Sequence, residues 1–288
     1  MLRNSHIDVK KIISQIDIDA IKSVQKQASK YTEMMNTSYF RYISEEAERI
    51  SKIDLPQIPT YIQEMAQSAV ANAERFRKNL LESSPKVKES IEAMINIGWY
   101  PDINNFGLGS LMNLKDELSD SDTDEVNSVF VAFYTENISD VMKYLFEHYP
   151  HREKILSAAF DAHNAGNYIL SIPVFLTQID GIAIDTFKKH FFIKKKGTQN
   201  PEIMYAIEKM NGLGEFALAL LTPLQSTQPI IYGEKQRDDE FNQFNRHQVI
   251  HGELLDYGIE VNSYKAISLL LYIAQTAEIV NRNKNGDD

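Results

Sequence analysis

Apolar positions recur at three- and four-residue spacing along most of this 288-residue chain, a period that predicts helix nearly throughout. Between residues 7 and 28 the apolar series is Ile12, Ile13, Ile16, Ile18, Ile21 and Val24, and a second helix is expected over 31–50, ended by the Pro56 and Pro59 segment. Residues 61–81 place Met65, Ala69, Ala73, Phe76 and Leu80 on one side, and Ser84-Pro85 is expected to open a short helix to Ile97, since proline suits a first helical turn. Gly98-Trp99-Tyr100-Pro101-Asp102 reads as a turn in which Trp99 packs at a corner between helices. The acidic run 120–124 is placed to cap a helix over 125–148 that points Val129, Phe133, Ile138, Val141 and Leu145 inward and stops at Pro150.

A boundary is therefore expected near Tyr149-Pro150, dividing a helical region 1–149 of unassigned role from a second helical region 150–288. The latter is expected to hold helices over 152–165, 167–189, 201–221, 239–251 and 263–282. Pro173 should kink the second of these or mark its true start. Phe191-Phe192-Ile193 is the one β-like stretch and is too short to found a sheet. The expected class is all-α, a multi-helix bundle.

Composition narrows the class of function. With 43% apolar and 24% charged residues the chain has the balance of a globular protein. The absence of cysteine excludes disulfides, thiolate nucleophiles and cysteine metal sites. No uninterrupted apolar run approaches the roughly 18–20 residues that cross a bilayer, and the first residues lack the layout of a signal peptide, so a cytoplasmic protein without a membrane partner is expected. The net charge of −10 repels nucleic acid as a whole-molecule field, so any nucleic-acid role has to rest on a local basic patch.

The chemistry concentrates in Asn245-Arg246-His247-Gln248-Val249-Ile250-His251-Gly252. Asp238 and Asp239 look like the N-terminus of its helix and Gly252 like its end. At about 100° per residue His247 and His251 lie about 40° apart, while Arg246 projects about 140° from His251. One helix thus points Arg and His in different directions, and a shared site becomes natural where two copies meet across a two-fold axis. Such a cluster suits metal-independent phosphodiester cleavage. Histidine exchanges protons with a ribose hydroxyl and a leaving oxygen near neutral pH, and an arginine fork holds the phosphate.

Arg246-His247-Gln248-Val249-Ile250-His251 resembles the signature of HEPN ribonucleases, in which an Arg is followed by a polar residue and, a few positions on, by a His. The context resembles it too, with the long apolar segment 171–181 upstream and a terminal helix downstream, over roughly residues 150–282. The resemblance implies a helical bundle that dimerises to form a cleft and cuts RNA without metal or other cofactor. Arg246 and His251 would be catalytic, with His247 at the polar position and Asp180 as the acidic residue of the earlier helix. Its setting would be antiviral defence or a stress toxin held by an antitoxin or other regulatory partner.

Other residues fit this reading or a plainer one. Lys188, Lys189, Lys194, Lys195 and Lys196, interleaved with Phe191 and Phe192, suit a phosphate backbone with a ring on a base, or equally a solvated helix end. Lys235 and Arg237 would extend that RNA-binding patch. The i, i+4 spacing of His247 and His251 also suits zinc, although Gln248 stands where a metalloprotease has Glu and no third ligand is evident. Asp180, inside an apolar helix, needs a partner, for which Arg246 or His251 is a candidate. His163 is expected at an exposed helix end. A non-catalytic helical module that binds a partner or a nucleotide is the alternative function.

Overall fold

A computed structural model describes residues 60–198, 200–210 and 213–285; the helices expected over 7–28 and 31–50 lie outside the described residues. Ten α-helices follow one another in these residues: α1 (Thr60–Asn96), α2 (Leu108–Asp120), α3 (Thr123–His148), α4 (Glu153–Asn164), α5 (Tyr168–Phe187), α6 (Met204–Glu208), α7 (Glu215–Leu220), α8 (Thr222–Gln225), α9 (Arg246–Ile250) and α10 (Glu260–Asn285). Single 3-10 turns stand at Pro150–Arg152, Pro229–Ile231 and Glu234–Gln236. Among the described residues there is no strand, only an isolated antiparallel bridge between Lys194 and Pro201. The architecture is all-α, as the periodicity predicts.

α10 is the axis of the molecule. It packs on α5 and α3, and Leu269, Leu270, Leu271, Tyr272, Ile273 and Ala274 in succession are all buried. A helix apolar all round has to be surrounded by others, and here it is. α5 lies between α10 and α4 and buries Ile172, Phe175, Leu176, Ile179 and Ile182, a three- and four-residue series. By length and composition α5 is also apolar enough to cross a bilayer, with a mean hydropathy of 1.3 and half of the qualifying window buried. Asp180 and Asp185 break the run in sequence, as expected, without lowering its average below that measure.

Several predicted boundaries move. Ser84-Pro85 does not start a helix, because α1 runs through Pro85 to Asn96. The Ser83 and Ser84 hydroxyls donate to Leu80 O at 2.9 and 2.7 Å, close to where proline interrupts the backbone ladder. α5 likewise contains Pro173. The single helix expected over 201–221 is two short ones, α6 and α7, with α8 following at Thr222, and α2 was not foreseen. The acidic cap is as expected, with the Asp122 side chain accepting from Asp124 N at the start of α3.

The 97–102 turn forms a packed corner. Gly98 has φ +83°, where a Cβ would be strained, and Trp99 is fully buried against Phe130 with ring centroids 4.9 Å apart. Its indole donates to Asn127 Oδ1 at 2.9 Å. Asp102, also buried, accepts from Gln275 Nε2 of α10 at 2.7 Å, and burial nevertheless raises its carboxyl above the usual range against the pull of these hydrogen bonds. The boundary expected at Tyr149-Pro150 falls on a 3-10 turn, and a single apolar cluster includes residues on both sides of it. Tyr149 Oη donates to Ala274 O, and Tyr100 Oη to Gln228 Oε1.

Candidate functional site

The segment that carries the Arg and His residues is a single helical turn pinned from below. Asn245 is fully buried; its Oδ1 accepts from Gln248 N at 3.1 Å, while its Nδ2 donates to Pro229 O and Tyr232 O at 2.7 and 3.0 Å. The helix therefore begins after Asn245, not at Asp238-Asp239 as expected, and covers only Arg246–Ile250. Phe241, Phe244 and Asn245 are spent on tertiary contacts, since Phe244 is buried and the Phe241 ring lies 6.0 Å from that of Tyr232. The end is where the sequence places it. Gly252 has φ +71°, Gly252 N donates to Val249 O and Glu253 N to Gln248 O, the paired bonds of a Schellman cap.

Arg246, in the first turn, sends its guanidinium over the Phe192 ring, 5.3 Å from the centroid. That ring is held by Asp180. The Asp180 carboxylate leaves the side of α5 and accepts from the backbone amides of Phe191 and Phe192 at 2.8 and 3.2 Å, and it pairs with His190 Nδ1 at 2.9 Å. Asp180 thus reaches Arg246 through the segment it anchors. The direct partner suggested for it, Arg246 or His251, is replaced by His190 and two amides, which satisfy a largely buried carboxylate.

His247 and His251 lie with ring centroids 4.3 Å apart, both reachable from solvent. Among the described residues no hydrogen bond or ion pair joins Arg246 to His251, in keeping with the angular argument that one copy of the helix sends them apart. Glu253 was not anticipated. Its Oε1 is 3.3 Å from His247 Nδ1 and its Oε2 3.0 Å from Arg237 Nη2. Desolvation works to raise the Glu253 carboxyl, and Arg237 and His247 outweigh it, so the group sits below the usual carboxylate range. The signal for Glu253 was present in sequence: the first residue after a helix-ending glycine returns over the last turn.

The basic residues divide. Lys194 donates to Gln236 Oε1 and lies against Gly233, so the 190–194 and 233–237 segments are neighbours, as an extended patch requires. Partial burial lowers the Lys194 ammonium. Lys195 stands over the Tyr205 ring at 3.7 Å, and Lys188, the αL residue that ends α5, donates to Asp185 O at 2.9 Å. Lys189, Lys196 and Lys235 show no contact of this kind among the described residues, and Lys196 and Lys235 are exposed. Arg237 differs from all of them, with a side chain only 8% exposed.

His163, expected at the surface, is 4% exposed. Its Nδ1 meets Ser263 Oγ at 2.8 Å, its ring stands edge-on to Tyr264 at 4.6 Å, and burial lowers it to about 4. α4 ends against α10, so the last turn of a helix is here an interior position. Among the described residues, no three His, Asp or Glu side chains are grouped to hold a metal ion. No protein-family model, curated protein or solved structure matches this chain.

Proposed function

We propose that the protein is a metal-independent RNA endonuclease whose site is built from Arg246, His247 and His251, completed across a homodimer. The observation that carries this reading is the pair of accessible imidazoles 4.3 Å apart on the same turn as an arginine whose guanidinium, among the described residues, meets only a ring face. Two histidines are what transesterification at a ribose needs. One takes the 2′-hydroxyl proton as that oxygen attacks phosphorus; the other protonates the 5′-oxygen as its bond to phosphorus breaks, leaving a cyclic phosphate and a 5′-hydroxyl. Arg246 retains its donors for the phosphate, because stacking on Phe192 uses none of them. Lys194, Lys195, Lys196 and Lys235 supply the local positive charge that an otherwise acidic molecule needs to approach RNA, whereas Arg237 is buried against Glu253.

The test is incubation of purified protein with RNA in excess EDTA, alongside His251→Ala. Cleavage that survives EDTA and falls by about 100-fold or more in the variant is expected. Full activity in the variant, or loss of activity on chelation, rejects the reading. A second reading, a non-catalytic interaction module, draws on the exposed apolar residues beside the motif: Leu255 is 86% exposed, with Ile169, Leu170 and Ile259 each more than half exposed. It predicts no cleavage under any condition of salt or metal.

A further inference from the structure

Resting on the nuclease reading, the geometry points to Glu253 as a positioning residue that holds His247 with Nδ1–H inward and Nε2 toward substrate, and to Arg237 as the group that holds Glu253. The Schellman cap is the first reason. Gly252 turns the chain back, and Glu253 N is fixed to Gln248 O at 2.8 Å, so the carboxylate is delivered over the helix that bears His247. Burial is the second. Among the described residues His247 Nδ1 is shielded from solvent with no aligned hydrogen-bond partner, yet it lies 3.3 Å from Glu253 Oε1. The side chain is nevertheless 42% exposed, so its exposure belongs to the rest of the ring. A catalytic hydrogen bond that is long in the free protein commonly tightens when substrate binds.

Arg237 supplies the third reason. A guanidinium with 8% of its side chain exposed is costly to bury, and its ion pair with Glu253 Oε2 at 3.0 Å is what keeps it there. Among the described residues its Nη1 is buried without a hydrogen-bond partner, and Glu253 is the carboxylate its guanidinium pairs with. Arg237 thus fixes one carboxylate oxygen and leaves the other for His247. The arrangement gives His247 a defined tautomer: with the inner nitrogen protonated toward a carboxylate, the outer one is the acceptor that a general base requires. His251, whose ring lies tilted 4.3 Å from that of His247, is left for the complementary proton transfer.

The test reads the tautomer directly. In nitrogen-15 spectra of the labelled full chain at about pH 8, where an ordinary imidazole is neutral, wild-type His247 is expected with Nδ1 protonated and Nε2 bare. Glu253→Ala and, separately, Arg237→Met are expected to move His247 toward the Nε2–H form preferred by free imidazole. Glu253→Ala is also expected to lower RNA cleavage by about 100-fold, the low end of what a positioned acid–base group contributes. His247 as Nε2–H in the wild type, or unchanged in both variants, overturns the inference; the wild-type spectrum decides even where a variant does not fold. The two failures are separable because the tautomer needs no substrate. A protein that cuts no RNA but shows the Nδ1–H form loses the nuclease reading and keeps this geometry, whereas cleavage with His247 as Nε2–H overturns the geometry alone.

Discussion

Single residues in this molecule are decided by what their polar atoms meet. His163 shows this most sharply, because its ring is wedged between α4 and α10 and kept neutral by desolvation. The linkage has a definite sign. A histidine lowered to about 4 in the folded state binds a proton in the unfolded chain first, at an ordinary value near about 6.5. Stability is therefore expected to fall as pH drops from about 6.5 toward 4, by on the order of 3 kcal/mol from this group, and to show no further loss from it below that window. Denaturant titrations across that range, compared with His163→Gln, test this; an equally steep acid loss in the variant assigns the effect elsewhere. Asp180 and Asn245 act through the hydrogen bonds they make. One ties residues 191–192 to α5 and the other ties the motif turn to residues 229–232, so both sides of the Arg246–Phe192 contact are anchored.

At the scale of elements, α10 determines how much of the rest can form. It contacts α5 and α3, and its polar side chains are placed to serve others, as Gln275 does for Ile103 N and Asp102. Removing volume from its middle creates a cavity that no loop can collapse to fill. Leu270→Ala, at a position with no solvent exposure, is expected to destabilise the protein by about 2–5 kcal/mol in chemical denaturation. A loss under about 1 kcal/mol would mean that α10 is not the packed axis described here. α9 is the opposite case. Five residues cannot sustain a helix by propensity, and this one exists because a buried asparagine starts it and a left-handed glycine ends it.

Over the whole molecule, a net charge of −10 favours separate molecules, and the apolar surface near α9 works against that. Tyr257 donates to Ile169 O at 3.0 Å, which brings the loop carrying Leu255 and Ile259 against the start of α5, where Ile169 and Leu170 are exposed. The proposed composite site predicts that this surface closes on a second copy. Leu255→Asp is then expected to convert a dimer to a monomer in sedimentation experiments and to reduce RNA cleavage in parallel, while melting unchanged. A wild type that sediments as a monomer at every concentration would remove the two-fold site.

The helical class, the cap at Asp122, the packed corner at Trp99 and the stop at Gly252 were all legible in the sequence. Each depends on local physics: a 3.6-residue period, a side-chain acceptor before a helix, a left-handed glycine. What the sequence alone could not decide was which polar atoms end up inside. The helix expected from residue 239 begins at Arg246 because Asn245 is buried under the 229–232 turn, a contact made across the fold. His163 and Arg237 look like surface groups along the chain and are interior ones in space, and Asp180 found its partners ten to twelve residues away rather than on the motif. The return of Glu253 over the last turn follows from Gly252, but its pairing with Arg237 was decided by packing. Periodicity reports which face of an element is apolar; where a buried charge finds its partner depends on neighbours that only packing brings together.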